Sequence, residues 1–410
     1  MKLQTPQLPK GTRDFYPVDM RVQNHIFSIW RQAALKFGYE EYEGPAFEHL
    51  ELYTGKSGEE IVSQLYNFTD KGNRALALRP EMTPTLARMV IQKGNELKKP
   101  FKWFSIPRLF RYERAQKGRL REFFQLNLDI IGTESISAEA DLISAIANML
   151  FDFGLKESDF YIGISSRRLL TAFPSHIYPI LDKRLKMPAE DFEKELLNAG
   201  LSKEEIENLN NFMSCSSIEE LKKFSDVSEL ETLFELLKVA GLENCVKLDL
   251  SVVRGLAYYT GIVFEVFDKA KNMRAIAGGG RYDNLTETLG GQKTSGVGFG
   301  MGDVVLADLL AEKNLLPQNR LDLPIFIASF SGDMKILFKT AAEFRKKGIS
   351  CSHSLNAVKF GKQLELANAA GAKCVVFADG EKSKDGVWEY KVLASGEQGT
   401  DCLEKILEKL

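Results

Sequence analysis

The stretch from Arg108 to Asp129, RLFRYERAQKGRLREFFQLNLD, gathers arginines, glutamates, a glutamine and an aspartate at spacings that could hold a polyphosphate and an amine together. In its second arm Phe124, Leu126, Leu128 and Ile130 alternate with Gln125, Asn127 and Asp129. In its first arm Phe110 and Tyr112 alternate with Arg111 and Glu113. Strand side chains alternate with period two, so the pattern predicts a hairpin with an apolar floor and a polar upper face. The segment joining the arms carries Arg114, Lys117, Arg119 and Arg121, and reads as a long cationic loop rather than a tight two-residue turn. Most alternating strands simply expose a solvated charged face. That does not account for several cations on one loop beside carboxylates.

Three further segments could contribute chemistry. In RPEMT, Arg79 to Thr83, Glu81 precedes an expected helix, where an acid is ordinarily favoured by the macrodipole. In RGLAYYTGIVFEVF a cation, Arg254, is followed by Gly255, which would let a ligand approach the backbone closely. Tyr258 and Tyr259 in the same segment could equally be core. In AGGGRYDNL followed by GVGFGMGD, Gly296, Gly298, Gly300 and Gly302 alternate with Val297, Phe299 and Met301. Such a strand has one apolar face and one bare face, on which a flat group such as adenine could lie. Close sheet packing or a bulge is the ordinary use of such glycines. There is no GxxxxGK[ST] and no dinucleotide fingerprint, so any bound ATP would sit on a sheet rather than a phosphate loop.

These residues need a frame. Val22, Ile26, Ile29, Trp30, Ala33 and Phe37 predict a helix stopped by Gly38, and a second is expected over Thr83–Lys93. Ser137 begins an expected amphipathic helix through Ile143, Ile146, Leu150 and Phe153, ended by Gly154. From about Arg168 to Gly241, composition rich in Lys, Glu, Leu and Asn predicts a helical insertion. Strand signals resume at 246–250, 261–267 and 274–277, the last leading into Gly278, Gly279 and Gly280. Pro317 to Pro324 reads as a linker. Beyond it, strands at 325–330, 349–353 and 374–378 alternate with helices at 334–347 and 360–370, which predicts a small α/β domain with a largely parallel sheet. The expected organisation is a first domain over 1–320, with its insertion at about 168–241, and a second over 321–410.

A chain of 410 residues, 44% hydrophobic and 27% charged, is long enough for two or three domains with proper cores. No apolar run approaches the roughly 20 residues of a membrane span, and the N-terminus lacks a secretory apolar stretch. Cys215, Cys245, Cys351, Cys374 and Cys402 are scattered without a CxxC pair, as are the four histidines. Neither disulfides nor a protein-held metal such as zinc is implied, and the expected setting is the cytoplasm. The net charge is -2, so a nucleic-acid partner would need a local basic patch, first of all the hairpin loop.

Taken together, the segments resemble the histidyl-tRNA synthetases, a family of class II aminoacyl-tRNA synthetases. PAFEHLELY, with Pro45, resembles the family's first motif at a dimer interface, and FRYERAQKGRLREFFQ the second motif. RGLAYYTGIVFE resembles a histidine-specific motif, and GGGRYDNL with GVGFGMG the approach to the third. KFGKQLELANAAGAKCVVFADGE is similar to the family's anticodon-binding domain. The resemblance implies an α+β fold: an antiparallel sheet flanked by helices, a helical insertion and a C-terminal α/β domain. It implies ATP-dependent ligation of L-histidine to tRNA(His) through histidyl-adenylate, with Mg²⁺ accompanying ATP, in a homodimer. By the same resemblance Arg111 and Arg254 meet the α-phosphate, while Glu113, Arg119, Arg121, Gly298 and Gly300 complete the ATP site. Glu81, Thr83, Gln125, Asp129, Arg254, Tyr258 and Tyr259 would form the histidine pocket, and Gln116 and Lys117 would meet the tRNA.

Three departures stand out. The family's third motif ends in glycine, two residues and arginine; here Gly302 is followed by Asp303, Val304 and Val305, so Val305 stands at the arginine's place. Ala257 stands where an aspartate is common, and Asp129 where a glutamate is common. The missing arginine favours one rival reading, a histidine-sensing regulatory subunit of histidine biosynthesis that charges no tRNA. The retained Arg111, Arg119, Arg121, Glu81 and Arg254, and a C-terminal domain such a sensor does not need, favour the enzyme.

Overall fold

The computed structural model describes residues 6–410 apart from 55–61, 95, 185–186, 254–257, 271–272, 318–322, 381–382 and 384–385. Arg254, Gly255 and Ala257 therefore lie outside the described residues, as does most of the expected linker. The chain divides into two compact units, Met1–Pro317 and Gln318–Leu410.

The first unit is built on one sheet of nine described strands. Its order is Glu40–Glu41, Phe101–Ser105, Glu122–Ile131, Gly296–Gly302, Ala277–Arg281, Ile262–Asp268, Phe160–Ser166 and Val246–Leu248, with Arg108–Phe110 paired to the third of these. All neighbours are antiparallel except the outermost pair at each end. Period-two alternation sorts the faces: Leu126, Leu128, Phe264, Val266, Phe299 and Met301 join one buried cluster with Trp30, Ile143 and Ile146. Helices Pro17–Lys36 and Ser137–Asp152 cover that face. The first is opened by Pro17, with the Asp19 carboxylate accepting the Tyr16 N–H, and stopped at Gly38, whose φ of 77° suits glycine.

The helix at Ser137–Asp152 was expected to be amphipathic, but ten of its sixteen residues are buried. It is enclosed by the sheet on one side and on others by Pro17–Lys36 and Ser228–Val239. Its buried carboxylate is matched: Glu139 pairs with the buried Arg281 through two bonds, at 2.5 and 2.6 Å. Arg281 also donates to the carbonyls of Thr133 and Ser135. This pins the strand Ala277–Arg281, glycines included, to the helix behind the sheet. The region from Arg167 to Val239 is helical wherever an element is described, and Phe192, Leu196, Leu209, Phe212 and Leu233 add its apolar faces to the same core.

The hairpin departs from its expected form in two ways. Its first arm is a strand only over Arg108–Phe110, so Tyr112 and Glu113 do not continue the alternation. Tyr112 is exposed, its N–H donating to the Gln64 carbonyl. The loop also contains the tight turn that was not expected: Gln116 and Arg119 exchange backbone hydrogen bonds around Lys117 and Gly118, and Gly118 adopts a φ of 72°.

The second unit has a sheet ordered Cys351–His353, Leu323–Ala328, Ala372–Phe377, Val387–Val392, Gln398–Cys402. Its first three strands are parallel, as the β/α alternation requires. The last two add an antiparallel hairpin, so the sheet is mixed rather than largely parallel.

Removing one partner of a buried ion pair leaves the other charge uncompensated, at a cost of about 3–5 kcal/mol. Glu139→Ala should therefore lower the unfolding free energy of the first unit by that amount in a denaturant titration. A cost under about 1 kcal/mol would mean that Arg281 is held by the Thr133 and Ser135 carbonyls alone.

Candidate active site

The sheet face opposite the core opens into a cavity of about 2160 Å³ within the first unit. Its floor is Gln125 and Asn127 from one strand, Gly298, Gly300 and Gly302 from the next, and Glu265 and Phe267 further along. Its lining also includes a carboxylate–tyrosine group, Glu81, Thr83, Tyr258, Tyr259 and Tyr282, and a cationic group, Arg111, Glu113, Gly118 and Arg119.

The glycines do something other than expected. A Cβ on Gly296 would lie 2.5 Å from the Tyr282 ring, one on Gly298 2.0 Å from Asp129 Oδ1, and one on Gly300 2.7 Å from the Gln125 amide carbon. On the neighbouring strand a Cβ on Gly280 would lie 3.0 Å from the Tyr259 ring. The bare face is thus covered at Gly296 and Gly298 by the protein's own side chains, while Gly300, beside the Gln125 amide, stays partly exposed. Of this strand's glycines, Gly302 has open space above it, with nothing within 4 Å of a built Cβ.

Two hydroxyl–carboxylate pairs mark the tyrosine group. Tyr258 donates to Glu81 Oε2 at 2.9 Å, and the Thr83 side chain also meets the Tyr258 hydroxyl. Burial, and next the Glu81 charge, push the Tyr258 hydroxyl well above its usual range. Tyr282 donates to Asp129 Oδ1 at 2.5 Å. Burial pushes the Asp129 carboxyl up to about 7, and the Tyr282 bond offsets this only in part. The three rings pack together, Tyr258 to Tyr259 at 4.9 Å and Tyr258 to Tyr282 at 6.0 Å between centroids. Asp129 itself is buried beneath the cavity wall, and the group presented in front of it is Tyr282.

In the cationic group Arg111 Nε donates to the Pro80 carbonyl at 2.8 Å, and its guanidinium lies 5.4 Å from the Phe123 ring centroid. Arg119 Nε pairs with Glu113 Oε2 at 2.5 Å. Arg121 is elsewhere: it donates to the Glu113 carbonyl, stacks 4.1 Å over Tyr112, and packs its stem against Gly11. It braces the loop and does not border the cavity. Gln116 and Lys117 are exposed at the loop's turn. Thus the structure brings Glu81, Thr83, Gln125, Tyr258, Tyr259, Arg111, Glu113 and Arg119 around one cavity, and sets Asp129 behind it and Arg121 beside it.

Sequence reading missed Tyr282 and the clamp at Asp303. Tyr282 directly follows Arg281 in GGGRYD, but its pairing with Asp129 spans 153 positions and has no local signal. Buried Asp303 opens the helix Asp303–Glu312, where a carboxylate suits the macrodipole. It accepts the Phe124 N–H at 3.0 Å and Arg13 Nη2 at 2.7 Å, joining the N-terminal segment to the base of the hairpin.

The Asp129 carboxyl carries a pH signature. Its folded value of about 7 exceeds the ordinary 3.8, so the cost of ionising it in place is absent below pH about 4, accrues as pH rises, and is complete above about 7. That difference corresponds to about 4 kcal/mol at most. Asp129→Asn should therefore gain stability relative to the parent across this window, measured by denaturant titrations at several pH values. A pH-independent difference would mean that the carboxyl ionises in its ordinary range.

The family model described as histidyl-tRNA synthetase matches residues 11–303. A histidine–tRNA ligase of Leptospira biflexa is 41% identical over 428 aligned positions, covering 98% of this chain and 97% of that one. A histidine–tRNA ligase of Arabidopsis thaliana, described as chloroplastic/mitochondrial, is also 41% identical, over 95% of this chain and 84% of its own. Among solved structures, a histidyl-tRNA synthetase from Nostoc sp. PCC 7120 superposes with a TM-score of 0.83 at 24% identity, over all of both chains. A Bacillus halodurans protein described as an ATP phosphoribosyltransferase regulatory subunit/histidyl-tRNA synthetase gives 0.73 at 22% identity, over 92% of this chain and 99% of that one, and shares the fold. With a family model over more than half its length and full-length relatives at 41% identity, this chain belongs to the histidyl-tRNA synthetase family.

Proposed function

We propose that this chain ligates L-histidine to tRNA(His) with ATP. The histidine carboxylate attacks the α-phosphorus, releasing pyrophosphate and leaving histidyl-adenylate. A terminal ribose hydroxyl of the tRNA then attacks the acyl carbon and AMP departs. The observation that supports this reading is one cavity lined by two chemistries: carboxylate–tyrosine pairs that suit an ammonium and an imidazole, and guanidiniums that suit phosphates.

Glu81 and Gln125 receive the α-ammonium, with Asp129 acting from behind through the Tyr282 hydroxyl. Thr83, Tyr258 and Tyr259 shape the imidazole pocket. Arg111 sits rigidly between a carbonyl and a ring, ready for the α-phosphate as its charge builds, and positioned charge is the main catalytic resource for such transfers. Arg119, steadied by Glu113, meets the leaving phosphates. Arg254, outside the described residues, is assigned to the α-phosphate on its motif alone. The adenine has most room at Gly302, where nothing lies within 4 Å of a built Cβ. Mg²⁺ binds chiefly through substrate phosphates and water with one or two carboxylates, and Glu113 is placed to be one. When bound it would supply neutralising charge. Gln116 and Lys117, exposed on the loop, would meet the tRNA acceptor end.

The second unit fits single-stranded RNA. Phe330 is 53% exposed at the end of Leu323–Ala328, and stacks on Phe360 at 4.7 Å and Phe377 at 5.0 Å. Such a platform holds bases without regard to their identity, and Lys359 beside it is exposed. We assign this unit to the anticodon, and the Phe47–His49 segment after Pro45 to a homodimer contact. No described helix is long and apolar enough to cross a membrane. Five free cysteines fit a cytoplasmic setting.

The rival regulatory reading is favoured by one observation, the uncharged Val305. Histidine-dependent exchange between pyrophosphate and ATP decides between them. Exchange is expected; histidine binding without exchange would establish the regulator. For the second unit, Phe330→Ala should raise the KM for tRNA about 5- to 100-fold, the worth of one stacked base, while leaving exchange unchanged. Unchanged charging would remove the anticodon assignment from this face.

A further inference from the structure

The third motif ends without a cation, and the structure shows what lies there instead. Val305 belongs to the hydrophobic core and is 9% exposed, with its Cγ2 3.3 Å from the point where a Cβ on Gly118 would sit. The Arg274 stem lies 3.8 Å from the same point. Three distant stretches therefore converge: the turn of the cationic loop, the first turn of Asp303–Glu312, and the residues just before the strand Ala277–Arg281. Arg274 borders the cavity and is exposed.

Four other arginines nearby each already have a protein partner. Arg13 is bound to Asp303, Arg119 to Glu113, Arg111 Nε to the Pro80 carbonyl, and Arg121 to the loop away from the cavity. Among the described residues Arg274 forms no hydrogen bond or ion pair. A planar guanidinium left open on the wall of a polar cavity, across Gly118 from Arg119, matches a phosphate group, which it can grip through two parallel bonds.

We propose that Arg274 binds the terminal phosphates of ATP, supplying from before the glycine strand the charge that Val305 does not supply from the third motif. This rests on the ligase reading above. The same chemistry could serve a phosphate of the tRNA backbone, and the two sources separate by experiment.

The full-length protein is compared with Arg274→Gln and Arg274→Lys, both exposed substitutions. ATP binding is measured directly by calorimetry, exchange gives KM for ATP and histidine, and a single-turnover assay gives transfer from preformed adenylate to tRNA. For Arg274→Gln, a 10- to 100-fold weaker ATP affinity and higher KM for ATP are expected, the usual worth of a charge-assisted bond. The KM for histidine and the transfer rate should stay within about twofold, and lysine should recover part of the loss. Unchanged ATP affinity overturns the proposal. A loss confined to transfer or to tRNA affinity also overturns it and gives Arg274 to the tRNA backbone. If the parent binds ATP but exchanges nothing, the ligase reading fails while the affinity comparison still judges Arg274. If the parent binds no ATP, both fail.

Discussion

The site rests on a steric permission: where the strand Gly296–Gly302 has no Cβ, four groups from elsewhere lie flat against the sheet. Tyr282 covers Gly296, Asp129 covers Gly298, Gln125 lies beside Gly300, and Tyr259 covers Gly280 on the adjoining strand. Each position would otherwise drive a Cβ into a neighbour at 2.0 to 3.0 Å. These side chains are therefore fixed by contact with the backbone as well as by hydrogen bonds. Fixing them needs the glycine strands themselves to be held, and the Arg281–Glu139 pair does this from the opposite face. A buried ion pair contributes little net stability compared with well-packed apolar groups. Its value here is register, since one residue of slip would put the glycines on the wrong face.

The charges around the cavity are set against one another. Beside the tyrosines, Glu81 and Asp129 are buried and share their oxygens with tyrosine hydroxyls, and burial makes Asp129 costly to ionise. In the proposed function an incoming ammonium would offset that cost. Among the cations, Arg119 is neutralised by Glu113 and Arg111 is braced by the Pro80 carbonyl and the Phe123 ring. A ligand carrying both an ammonium and a phosphate finds complementary groups for each. Either alone meets one of the two chemistries.

Much of this was legible in the sequence because it depends on short periods. The alternation of Gln125, Asn127 and Asp129 with Leu126, Leu128 and Ile130 separates the two faces, and the second arm forms a strand, Glu122–Ile131, that holds all of them. The helix Thr83–Lys93 has the expected bounds, as its Pro84 and Gly94 suggest. The rest depends on long-range placement. Nothing near Asp129 in the sequence says that Tyr282 covers it, and nothing in the glycine spacing says that the bare face is meant for protein groups and not a ligand. Arg121 shows the same limit: its period matches that of a phosphate ligand, yet Gly11 and Tyr112, remote or irregular in the chain, capture its side chain.

The third motif illustrates how such a site can move a charge without changing the fold. Its helix, Asp303–Glu312, begins directly after the glycine strand, and its first residue is a clamp. Asp303 holds the Phe124 backbone on one oxygen and Arg13 on the other, so the N-terminal segment, the hairpin base and the helix start meet at one buried carboxylate. A guanidinium at position 305 would enter a space now filled by Val305 and the Gly118 turn. With that space apolar, the turn settles against the helix, and the cation bordering the cavity there reaches it from Arg274. On the proposal above, Arg274 would supply charge at that edge from a different element, because an electrostatic site is specified by where charge stands and not by the element that delivers it.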